Sequence, residues 1–328
     1  MSKIIRKIQR IGNASYAVVL PKEWVEELGL QKSDALVMEL EGSRISIYPS
    51  QKQPEKEGPE HTIRVTANER HTLVQRELIS AYLLGATTIR VVSAERKMPS
   101  SLKEVLKELA KSLMIGIEVV EESLESITFQ EIVTWPSMTL EGLIRRMHSI
   151  ALSMINDSYS ALISGDEDAR LSVVSSDREV DRFYFYGLRV LNRALYNKGL
   201  MKEFGLERQV QVLISRSLMK SIERIADHAE DIALSASERL SEEGIREIRP
   251  LYESTSRIFS DVYEAILSKD RAKANEIIEA ALKIRSMAGS VKAKYKMISE
   301  HYERIAEYTS DIAENVIDYS VSLELLSF

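Results

Sequence analysis

Acidic residues recur at helical spacing in three stretches of the chain. ERIADHAEDIALSA (223–236) and ERIAEYTSDIAENV (303–316) are two versions of one pattern. Setting Glu223 on Glu303 brings Asp227 onto Glu307 and Asp231 onto Asp311, and Ile225-Ala226 falls on Ile305-Ala306. Acids at i, i+4 and i+8 form one stripe on a helix. Their repulsion costs roughly 0.2–0.5 kcal/mol per pair, and a lone stripe is usually a solvated face. Two matched stripes fit that reading less well, and SSDREVDRF adds Asp177 and Asp181, again four apart. Carboxylate pairs on facing helices would form an oxygen-rich pocket suited to hard cations such as Fe3+, Mg2+, Mn2+ or Ca2+.

Other chemistries find little support. A carboxylate-bridged di-iron enzyme needs Glu-x-x-His pairs. The residues three before the histidines are Gly58, Asn68, Arg145, Ile225 and Ile298, none of them Glu. No GxSxG elbow, cysteine nucleophile or Gly-rich phosphate loop occurs. A binding or regulatory protein is therefore expected, not an enzyme. His228 lies about 100° around the helix from Asp227 and reads as a core or surface residue. His148 and His301 have no acidic partner at metal-site spacing, and His61 and His71 read as isolated surface residues.

The elements that carry these residues form a multidomain chain of 328 residues. The absence of Cys fits a reducing cytoplasm. No apolar run approaches 18 residues and no signal peptide is apparent, so a cytoplasmic protein without membrane insertion is expected. Net charge is −6, yet Lys3, Arg6, Lys7, Arg10 and Lys22 occur with no acid in residues 1–22. A basic segment on an acidic body can still contact phosphates locally.

Residues 1–48 read as four short strands and one helical turn: SKIIRKIQRI, YAVVLP, the helix KEWVEELGL, and a hairpin around Glu41-Gly42. So small a module buries too little surface to stand alone, which predicts dimerisation. Residues 49–60 (PSQKQPEKEGPE) read as a linker, and 61–135 alternate strands and helices as a small α/β layer with some parallel pairing. Residues 138–328 read as all-α, with helices near 138–163, 167–198, 206–242, 249–268, 271–297 and 299–325. They fall into two three-helix repeats, 138–243 and 249–328, with Pro250 opening the second.

RKIQRIGNASYAVVLPKEWVEELGL resembles the AbrB/MazE/SpoVT swapped-hairpin family. Where members often show Gly-Asp after the helix exit, this chain has Ser33-Asp34. The resemblance implies an interlocked homodimer, often DNA-binding, with Arg6, Lys7, Arg10 and Lys22 as DNA contacts. The same fold serves in antitoxins.

DREVD (177–181), ERIADHAEDIA (223–233) and ERIAEYTSDIAEN (303–315) resemble the PhoU family of phosphate-signalling proteins. Its tandem three-helix bundles hold metal clusters through [ED]xxxD pairs. With the N-terminal module, the chain looks like the archaeal PhoU-like phosphate uptake regulators. The resemblance implies Asp177, Asp181, Glu223 and Asp227 as ligands of one cluster, and Glu303 and Glu307 as ligands of a second. Asp231 and Asp311 stand where the family commonly has Asn and rank behind these. Fe3+ is the implied ion, with Zn2+, Mg2+ and Mn2+ as alternatives. DNA and phosphate-transport or phosphate-signalling components are the implied partners. The second repeat departs from the pattern: aligning 274–286 on 169–181 by apolar frame puts Leu282 and Ser286 where Asp177 and Asp181 stand. The competing expectation is an antitoxin-type or general transcriptional regulator whose helical domain only oligomerises.

Overall fold

The computed structural model describes residues 4–12, 14–41, 44–49, 59–66, 70–95, 97–132, 138–235 and 239–325. Residues 1–57 and 58–328 are separate compact units. Most of the expected linker, and the Gly42 turn, lie outside the described residues.

In the first unit, β1 (Gln9–Ile11) pairs antiparallel with β2 (Ser15–Ala17), and β3 (Leu36–Glu41) with β4 (Arg44–Pro49). The helix α1 (Lys22–Glu27) lies between the two hairpins in sequence. The first strand is shorter than its alternation predicts, because pairing to β2 begins only at Gln9. Arg6 and Lys7 therefore precede the strand and Lys22 opens α1, where it pairs with Glu26 at 3.4 Å. Of the predicted basic strand face, only Arg10 lies on a strand. Ser33 has φ +80°, a conformation that favours glycine.

In the second unit a four-stranded sheet has the order β5-β6-β8-β7, with β5 (Glu60–Val65) parallel to β6 (Thr88–Ser93) and the other neighbours antiparallel. β7 is Ile117–Glu122 and β8 is Ser126–Glu131. The helices α2 (His71–Leu83) and α3 (Ser100–Leu113) complete this layer, and Leu78, Ile89, Leu106 and Phe129 fill its core. His61 lies on β5 and meets Glu77 of α2 at 3.1 Å.

The helical region comprises α4 (Leu140–Ser164), α5 (Glu167–Ala194), the short α6 (Lys198–Glu203), α7 (Gln209–Leu234), α8 (Glu242–Ser268), α9 (Arg271–Gly289) and α10 (Lys296–Leu325). Two expected boundaries move. The third long helix stops at Leu234, and α8 starts at Glu242 instead of at Pro250. Ser241 caps α8 by accepting the Gly244 N–H, and buried Ile248 and Leu251 on either side of Pro250 anchor the helix through the proline. The final pair is also re-divided: α9 ends at Gly289 and a 3-10 turn (Ala293–Tyr295) leads into α10.

The helices α4, α5 and α7 pack as one bundle and α8, α9 and α10 as the next, and α7 lies along α10 between them. Asn315 of α10 reaches Ser217 of α7 while His301 reaches His228, so the two helices run antiparallel. No described helix is long and apolar enough to cross a membrane.

Candidate metal centre

The acidic residues of α5 and α7 meet. Asp181, Glu223 and Asp227 each place a carboxylate oxygen within 4.8 Å of the other two. Glu223 is buried, whereas Asp177, Asp181 and Asp227 are half-buried. This follows from the helical frame: Val173, Val180 and Tyr184 turn the apolar stripe of α5 inward and carry the flanking Asp177 and Asp181 to the edge of α7.

The electrostatics are those of crowded like charge. Burial, then the carboxylates of Asp181, Glu230, Asp227 and Glu223, push Asp177 up to about 7. Burial, then Glu223 and Asp227, push Asp181 up to about 6, and burial also raises Glu223. Lys220 donates to Glu223 at 2.6 Å and Arg224 to Asp227 at 3.0 Å. Lys220 also acts on Asp181 and Arg178 on Glu230, but burial and like charge outweigh them and both carboxyls stay raised. An all-oxygen donor set short of positive charge fits a hard cation.

Glu230 was not legible as part of this site. It lies three residues beyond Asp227, a helical-neighbour spacing, and its own pKa is raised by burial and by Asp231 and Asp227.

The second repeat is built differently. Arg285 of α9 stands 3.5 Å from Glu303 and 4.0 Å from Glu307, and Arg304 donates to Glu307 at 2.6 Å. The expected pairing of Leu282 and Ser286 with Asp177 and Asp181 is one residue out of register. Ala281 and Ile284 are buried, as Val180 is on α5, while Leu282 is 61% exposed. The buried frame and the matching glutamates set Ala281 opposite Asp177 and Arg285 opposite Asp181. A guanidinium thus occupies the place of a carboxylate. Asp311 is exposed on α10 beside this group, its pKa raised by burial and Glu307.

Asp231 groups with two histidines and not with Asp181, Glu223 and Asp227. Its Oδ2 lies 3.8 Å from His228 Nδ1 and 3.7 Å from His301 Nδ1. His301 therefore does have an acidic partner, one supplied by α7 and out of reach of any spacing rule. His148 is a buried core residue, 2.6 Å from the Phe259 carbonyl oxygen and packed against Phe259 and Tyr263.

Residues 144–236 match the family model described as the PhoU domain. The first helical repeat is PhoU-like. The PhoU match ends with α7 and takes in Asp177, Asp181, Glu223 and Asp227. Residues 9–55 match a second model, described as antidote-toxin recognition MazE, bacterial antitoxin. Among solved structures, the phosphate transport system regulatory protein PhoU from Streptococcus pneumoniae is 18% identical, with a TM-score of 0.47 over 58% of this chain and 96% of that one. PhoU from Pseudomonas aeruginosa is 18% identical, with a TM-score of 0.48 over 56% of this chain and 95% of that one. No curated protein matches the chain.

Proposed function

We propose that this protein is a phosphate-responsive PhoU-like regulator that binds DNA as a homodimer and holds a metal ion in its first helical repeat. The convergence of Asp181, Glu223 and Asp227, within the segment that matches the PhoU domain, carries this reading. Asp177 completes the donor set. Fe3+ is the ion proposed first, since a trivalent hard cation offsets the most carboxylate charge, with Mg2+, Mn2+ and Zn2+ behind it. The ion's chemistry here is charge neutralisation that ties α5 to α7, and no catalytic step is assigned. Arg285 already serves Glu303 and Glu307, so one acidic centre per chain is proposed.

The N-terminal unit pairs two copies and brings Arg6, Lys7, Arg10 and Lys22 to DNA phosphates. Phosphate-transport or phosphate-signalling components are the proposed protein partners, in the cytoplasm.

Elemental analysis of the full-length protein, wild type against Asp227→Asn and Asp311→Asn, tests the metal reading. Asp227→Asn should release most of the bound ion and Asp311→Asn little. Equal metal content in all three would sink it. The same preparation should shift DNA from upstream of its own gene.

The match of residues 9–55 to an antitoxin model supports a second reading, an antitoxin-type regulator whose bundles only oligomerise. A toxin gene beside this one would favour it, whereas neighbouring phosphate-transporter genes would favour the regulator.

A further inference from the structure

Where α7 packs along α10, three donors of a different kind converge. His228 and His301 bring their Nδ1 atoms to 3.1 Å, and Asp231 Oδ2 stands 3.8 and 3.7 Å from them. The two imidazoles are within hydrogen-bond reach of each other, but the carboxylate is beyond it from both. Hydrogen bonding accounts for one side of the triangle, and the two longer sides are ion-pair contacts that need a protonated imidazole. A circle through three atoms at these separations has a radius of about 2.1 Å, the length of a bond from Zn2+ to imidazole nitrogen or carboxylate oxygen. A single ion at the centre accounts for all three sides.

We propose that His228, Asp231 and His301 form a second metal site, for a borderline divalent ion of the Zn2+ class, that clamps the first helical repeat to the second. Two nitrogens and one oxygen select Zn2+, Co2+, Ni2+ or Cu2+ over the hard cations suited to the carboxylate cluster. The ligands sit on rigid elements: His228 and Asp231 are three apart on α7, His301 comes from α10, and Tyr308 stacks on His228 with ring centroids 5.8 Å apart. The histidine side chains are about one-fifth exposed and that of Asp231 is 49% exposed, so a fourth position faces solvent and takes water or an exchangeable anion. The repeat does not duplicate the site. The positions equivalent to His228 and His301 hold Tyr308 and Ser221, neither of which offers an imidazole.

The test uses full-length protein carrying Asp181→Asn and Asp227→Asn, which disables the carboxylate cluster and leaves the histidines in place. Zn2+ titrated into the metal-free protein should bind once per chain, and X-ray absorption should show two imidazole nitrogens around it. Adding His301→Ala should weaken Zn2+ on the order of 100-fold, at least as much as losing a residue that merely orients a ligand. Absence of binding, a zinc shell without imidazole, or an affinity unmoved by His301→Ala would overturn the proposal. If His301→Ala does not fold, Asp231→Asn, at an exposed position, should weaken Zn2+ in the same direction, and no change there would also overturn it. The carboxylate cluster plays no part in this experiment, so its failure leaves the proposed function untouched, and the reverse also holds.

Discussion

Asp177 and Asp181, pushed up to about 7 and about 6 by burial and by each other's neighbours, set the pH response of the metal-free protein. Both values lie above the ordinary carboxylate range, so between about pH 4 and 7 the native state binds more protons than the unfolded chain. The stability these groups contribute is complete below about pH 4 and is lost as pH rises through their folded values. With chelator present, wild type should therefore melt lower at pH 8 than at pH 5, and Asp177→Asn should narrow the gap. Solvent screens half-buried carboxyls, so we expect the narrowing to be about 2–4 °C, as ~1 kcal/mol produces in a domain of roughly this size. A gap that Asp177→Asn leaves unchanged, measured by thermal denaturation, would show that these carboxyls are not under mutual strain. The i, i+4 acids of this group could be read directly from the sequence. Asp231 falls in the same stripe by sequence, because a helical stripe says nothing about what the neighbouring helix brings. His301 is 73 residues away from His228, and only the antiparallel packing of α7 on α10 unites them.

At the scale of the element, α5 links the acidic centre to the α/β layer. Two turns beyond Asp181, Arg189 is fully buried against that layer. It donates to the Tyr82 carbonyl oxygen at 2.6 Å, sits 4.8 Å from the Tyr82 ring and pairs with Glu131 of β8 at 3.1 Å. Arg193 also donates to Glu131, at 2.7 Å, and its stem approaches to 2.6 Å of where a side chain at Gly85 (φ +96°) would begin. Glu131→Ala would leave a buried guanidinium without its counter-ion and should cost about 3–5 kcal/mol in urea unfolding. Adding Arg189→Met should recover part of that loss, because the stranded charge is then gone. Additive losses would mean that the pair does not act as a unit. The helices and the α/β alternation were visible as periodicity, whereas their ends were not. Pro250 reads as a helix start by local rule, yet the Ser241 cap and the buried residues on both sides carry α8 through it. The one-residue slip on α9 has a similar origin: Leu282 is apolar enough to pass for core, and only packing shows it exposed.

In the molecule as a whole, the N-terminal unit leaves Ile5, Ile8, Tyr16 and Met38 mostly exposed, and Trp24, Leu28, Ile45 and Tyr48 line an apolar groove within it. A second copy would bury these surfaces, so light scattering should report a dimer, and Ile8→Asp should shift it toward monomer. Arg6→Ala with Arg10→Ala should weaken DNA binding and flatten its logarithmic salt slope by about 1.8, as loss of two phosphate contacts predicts. An unchanged slope would remove these cations from the interface. The module's small size predicts a partner, whereas which apolar residues it leaves exposed emerged only with the fold. Arg285 carries a further consequence. In the second repeat the counter-ion is part of the polypeptide, so no chelator can remove it and no change in ion supply can alter it. Scarcity of metal would therefore be felt by one half of the helical region and not by the other. Amide hydrogen exchange should quicken in α5 and the Glu223–Asp227 turn of α7 when the ion is stripped, while α9 keeps its rate. Such a one-sided loosening would turn an internal duplication into a comparator, with a fixed reference arm beside one that reports the ion.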